Sequence, residues 1–183
     1  DLLSREFAHA RRKNLLLRDL DELVNQQLAK MLFANPQRID YYDRYQEIID
    51  AYNAEQNRAT IEKTFMDLME LASSLDTEQQ RYVREGFSSD EELSVYDLLF
   101  SENLTKQEIE TIKKVSVDLL TKIKQQIAKL DHWTDKQETK AIVDNLIRKT
   151  LWQELPNSYD VSDIQTYQKK IYEYVYMRYP EVA

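Results

Sequence analysis

IYEYVYMRY, residues Ile171 to Tyr179, is the only stretch of this sequence that passes for a β-strand. Its aromatic and β-branched residues suit a pleated surface. Two local features decide for helix instead. Ser162-Asp-Ile-Gln165 places a capping residue three positions before an amide, and QTYQKK runs into the stretch without a break. With its one strand candidate assigned to a helix, the chain reads as all-α, an irregular multi-helix bundle of about eight helices.

Composition agrees. The 183 residues include one Gly, three Pro and no Cys, so turn-formers are scarce and disulfides are excluded. Absence of Cys also removes thiolate metal ligands and suits a cytoplasmic protein. No apolar run approaches the length of a membrane span. A net charge of −8 opposes broad attraction to phosphate, which depends on basic side chains. The first residues, DLLSREFAHARRKN, carry neither an initiator Met nor a signal core, and read as the start of a fragment of a longer multidomain chain. The expected organisation is one helical domain, 1–183, or two helical subdomains, 1–100 and 101–183.

Upstream of the deciding stretch, helix starts are read from caps. Asp19-Leu-Asp-Glu22 opens a helix to about Ala34, and Asn35-Pro36 interrupts it, since the residue before Pro leaves the helical region and Pro suits a first turn. NPQRIDYYDRYQEIIDAYN, Asn35 to Asn53, then sets Tyr41, Tyr45, Ile48, Ile49 and Tyr52 on one face. Asp40, Asp43, Glu47 and Asp50 share this helix, so the rings read as core rather than as a base-stacking platform. Further starts are expected near Thr60, at Thr77, Ser89, Thr105 and Thr134, with Gly86 as a helix-ending residue.

Candidate chemistry is sparse. The stretch 105–150 holds ten Lys or Arg against seven Asp or Glu, and Lys114, Lys122 and Lys129 fall opposite the apolar face of its long helix. A solvated face explains them; a stripe following DNA phosphates is the alternative. His9 and His132 lie in no paired-ligand pattern, and a single glycine permits no phosphate-cradling loop. Glu138-Thr139-Lys140, with Asp131 and Asp135 upstream, matches half of a nuclease metal site. That chemistry needs carboxylates on adjacent strands, whereas this tripeptide follows a helix cap. No catalytic, cofactor-binding or metal-binding residue is assigned. In the last helix Tyr172, Tyr176 and Tyr179 form one stripe and Ile164, Tyr167, Ile171 and Val175 another, and a helix apolar on two sides is either deeply buried or docks a second surface. Tyr172, Tyr176, Arg178 and Tyr179 are the candidates for that contact.

Several segments together resemble a known family. They are NPQRIDYYDRYQEIIDAYN, NRATIEKTFMDLMEL (Asn57 to Leu71), REGFSSDEELSVYDLL (Arg84 to Leu99) and LDHWTDKQETKAIVDNLIRKTLWQELP (Leu130 to Pro156). In this order they look like the C-terminal helical region of the R subunit (HsdR-type) of type I restriction endonucleases. The resemblance implies a helical module packed on an ATP-driven translocase motor and helping to join it to methyltransferase and specificity subunits. It places ATP, Mg²⁺, DNA cleavage and most DNA contact in upstream domains. This part of the subunit is then expected to be catalytically silent and to bind DNA weakly or not at all.

Overall fold

The structure, a computed structural model, describes residues 13–55 and 57–180. Among them all regular structure is helical: eight α-helices and one 3-10 turn, with no strand. The deciding stretch lies in the last helix and its C-cap. The chain divides at the Arg84–Glu85 bond into two compact units.

The first unit holds α1 (Lys13–Ala34), the 3-10 turn Pro36–Arg38, α2 (Ile39–Ala54), α3 (Arg58–Gln79) and the single turn α4 (Arg81–Arg84). Asn35 breaks α1 from α2: its side chain accepts from the Gln37 backbone N–H, and Pro36 supplies a first position needing no donor. α3 packs against both α1 and α2. The core joins Leu17, Val24, Leu28 and Met31 of α1, Tyr45 and Ile48 of α2, and Phe65, Leu68, Leu71 and Leu75 of α3. Tyr41, Ile49 and Tyr52 pack at its edge, so the α2 face is built inward.

The second unit holds α5 (Asp90–Leu99), α6 (Lys106–Ile127), α7 (Gln137–Glu154) and α8 (Val161–Arg178). α6 packs on α5 and α7, and α8 closes the ring by packing on α7 and α5. Thr105 caps α6 with a full capping box: its hydroxyl accepts from the Glu108 N–H while Glu108 accepts from the Thr105 N–H. Ile112, Leu119, Ile123 and Ile127 of α6, Val143, Ile147 and Leu151 of α7 and Ile171 and Val175 of α8 are all buried in this unit.

Four expected starts move. Asp19 lies inside α1, which is already helical at Lys13, the first residue described in this helix. Thr77 opens nothing: α3 runs through it, and its hydroxyl donates to the Ser73 carbonyl one turn back. α7 starts from Lys136, with no side-chain cap, rather than from Thr134. α8 is capped by Asp160, two residues before Ser162, in a capping box with Asp163. Gly86 does sit at positive φ, +84°, with open space around it, so the backbone angle is what asks for glycine there.

Candidate functional site

Two tyrosines of α8, Tyr172 and Tyr176, are organised by one residue outside that helix. Trp133 lies in the turn between α6 and α7 and is 1% exposed. Its indole N–H donates to the Tyr179 carbonyl at 2.7 Å, a bond that ties this turn to the end of α8. Tyr172 and Tyr176 meet the indole edge-on, with ring centroids 6.2 and 5.7 Å away. Lys140 of α7 then lies 6.0 Å from the Tyr176 ring centre.

These contacts sort the four candidate partner residues. Tyr172 is half-buried. Tyr176 is 39% exposed, and its neighbour Met177 is 76% exposed, so an apolar edge faces solvent where the aromatic group ends. Tyr179 is buried at 8%; its ring belongs to the unit's own core, against Tyr174 and beneath the Lys124 ammonium. Burial, the neighbouring Tyr174 and the Glu91 carboxylate push its hydroxyl pKa up. Arg178 is half-buried beside Glu91. Burial alone would raise the Glu91 pKa, but Lys124, Tyr179 and Arg178 outweigh it and hold the carboxyl below its ordinary range. The residues that reach solvent are thus held by a cluster of rings and charges behind them.

The three lysines of the long helix differ in their surroundings. Lys114 is exposed on α6. Lys122 contacts Asp118 at 2.5 Å and Glu154 at 2.7 Å, and both carboxylates raise its pKa. Lys129 lies past the end of α6, in a tightened turn where the Leu130 N–H reaches the Ile127 carbonyl. Phosphate would have to compete with two carboxylates for the central lysine.

Glu138, Thr139 and Lys140 form the first turn of α7. The Thr139 hydroxyl donates to the Trp133 carbonyl at 2.7 Å, and Lys140 turns toward Tyr176. Thr139 thus holds the turn that carries Trp133. Among the described residues no group of three or more His, Asp or Glu is placed to hold a metal. His132 adopts φ +44°, a left-handed conformation that His tolerates better than most residues, and its Nε2 lies 3.5 Å from Asp131. The turn 130–133, with Ile127, Ala128 and Pro180, lines a cavity of about 210 Å³. His9 lies outside the described residues.

Sequence patterning missed Trp133, because a turn residue has no periodicity to reveal its burial. Its partner Tyr179 is 46 residues away.

Comparison with known proteins places this architecture. The family model described as "Type I restriction enzyme HindI endonuclease subunit-like, C-terminal" matches residues 1–179. No curated protein and no solved structure matches the chain.

Proposed function

The chain belongs to the family of C-terminal domains of type I restriction enzyme HindI-like endonuclease subunits, and from that premise we propose that it is the subunit's helical docking module. It packs on the ATP-dependent translocase motor and helps join it to the methyltransferase and specificity subunits. It supplies shape and adhesion and leaves ATP turnover and phosphodiester chemistry to other domains.

The observation that carries this reading is the exposed end of α8. Tyr176 and Met177 present apolar surface on a backing of Trp133, Tyr172 and the Trp133–Tyr179 hydrogen bond. A preorganised aromatic edge loses little conformational entropy on binding, which is what lets a small patch anchor an interface. Arg178 lies beside the patch, and Tyr172 orients it.

The reading is tested in the longer endonuclease subunit by deleting this domain. Sedimentation with the purified methyltransferase–specificity core is expected to show a complex for the intact subunit and none for the truncated one. A truncated subunit that still assembles with the core would rule the docking role out.

A further inference from the structure

Helix α7 carries a second surface, on the side facing neither the core nor α8. Val143, Ile147, Thr150 and Leu151 point inward, and Lys140 turns toward Tyr176. On the outer side Ile142, Asn145, Arg148, Lys149 and Trp152 fall within an arc of about 120°. Ile142 is 43% exposed and Trp152 is 50% exposed, with Ile142 and Trp152 about 15 Å apart along the axis.

Glu138 shares this arc one turn before Ile142, but at the Trp152 end the charges are one-sided. Arg148 and Lys149 stand one turn before Trp152 in a chain of net charge −8, and neither has an ion-pair partner among the described residues. The Arg148 guanidinium donates to the Asn145 side chain at 2.9 Å, which lays it along the helix surface. Asp144 is turned aside to accept from Gln168 of α8. An indole flanked by two cations calls for an apolar recess rimmed by carboxylates. Two cations are too few to draw an acidic chain onto a nucleic acid, where affinity grows with each phosphate neutralised.

Patch size indicates where that recess lies. Five side chains cover far less than the roughly 1,000 Å² that a stable complex between separate proteins buries. A neighbour joined through the same polypeptide needs much less, because the tether holds it at an effective concentration of about millimolar. We infer that the Ile142–Trp152 face of α7 packs against a carboxylate-rimmed apolar surface on the preceding domains of the same endonuclease subunit, with Trp152 as its anchor. This rests on the docking-module reading and names the face by which the module is seated on its own subunit.

Hydroxyl-radical footprinting read by mass spectrometry tests it. Trp152 oxidation is compared in the 183-residue chain, in the full-length subunit alone, and in the full-length subunit carrying R148E with K149E. The expected result is several-fold protection of Trp152 in the full-length subunit, lost in the charge-reversed variant. Buried Trp133 should stay equally protected in all three, which reports an intact fold. The inference is overturned if Trp152 reacts equally in the chain and the full-length subunit. It is also overturned if protection appears only after adding the methyltransferase–specificity core or duplex DNA, or rises with concentration of the chain alone. If Trp152 stays reactive while other surface residues of this domain become protected, the seating face is wrong and the docking reading stands. If no residue of the domain becomes protected, packing on the motor fails as well.

Discussion

The two units bury tyrosines for different ends. In the first, hydroxyls go to carboxylates: Tyr45 donates to Asp21 at 2.7 Å and Tyr41 to Glu78 at 3.5 Å. Glu78 is itself buried with Arg38, whose Nε donates to it at 3.0 Å, and Arg81 reaches the same oxygen at 2.8 Å. In the second unit, two aromatic donors go to backbone carbonyls, while the Tyr179 hydroxyl turns to the Glu91 carboxylate. Trp133 bonds the Tyr179 carbonyl, and the Tyr159 hydroxyl bonds the Leu99 carbonyl at 2.6 Å. The first unit is therefore closed by charge between its helices. The second adds to its own charged cluster around Glu91 rings that satisfy the carbonyls left over at helix ends. The faces proposed for docking both lie on the second unit, whose frame joins these ring contacts to the charged Glu91 cluster.

Four variants would break or sharpen the contrast. Trp133→Ala removes a buried ring and its bond, and is expected to cost about 3–5 kcal/mol, seen as a lowered urea midpoint. Both tryptophans lie in the second unit, so Trp152 emission follows that unit alone in this variant. Arg38→Ala leaves Glu78 buried with Arg81 as its remaining cationic partner and should cost about 2–3 kcal/mol, measured by circular dichroism. Replacing both partners, Arg38→Met with Glu78→Leu, should cost less than Arg38→Ala alone; an equal or larger loss would mean that charge is not what closes the first unit. Tyr159→Phe strands the buried Leu99 carbonyl and should cost about 1–2 kcal/mol.

The smallest effect is a pH dependence. The Glu91 carboxyl lies below its ordinary range, so its contribution is present above the unfolded-state pKa and fades as pH falls through the folded-state value. Glu91→Gln should flatten the acid side of the second unit's Tm profile. An unchanged slope would remove Glu91 from the closure of that unit.

Much of the fold was legible because its signals are local. Asn35-Pro36, Ser89 and Thr105 cap through side chains within three residues, and α6 shows its buried face in spacing alone. Thr77 misled because a hydroxyl bonded one turn back inside a helix leaves the same sequence pattern as a hydroxyl capping one. Ser162 misled because Asp160 offers the same chemistry two residues earlier and satisfies it in both directions. For the candidate site, periodicity placed Tyr172, Tyr176 and Tyr179 on one stripe. It could not tell that the stripe folds over Trp133 and that Tyr179 passes beneath, since those contacts are tertiary. The pairing of Lys122 was hidden for the same reason: Glu154, which holds it, comes from the next helix.

The most direct test of the docking role is calorimetric titration of the purified 183-residue chain with the methyltransferase–specificity core. Replacing the exposed pair, Tyr176→Ser with Met177→Ser, leaves Trp133 and Tyr172 in place. Saturable binding by the unaltered chain, weakened roughly tenfold or more by the double substitution, is the predicted result. No heat of binding at tens of micromolar, about −6 kcal/mol in affinity, or equal binding by both proteins would contradict it.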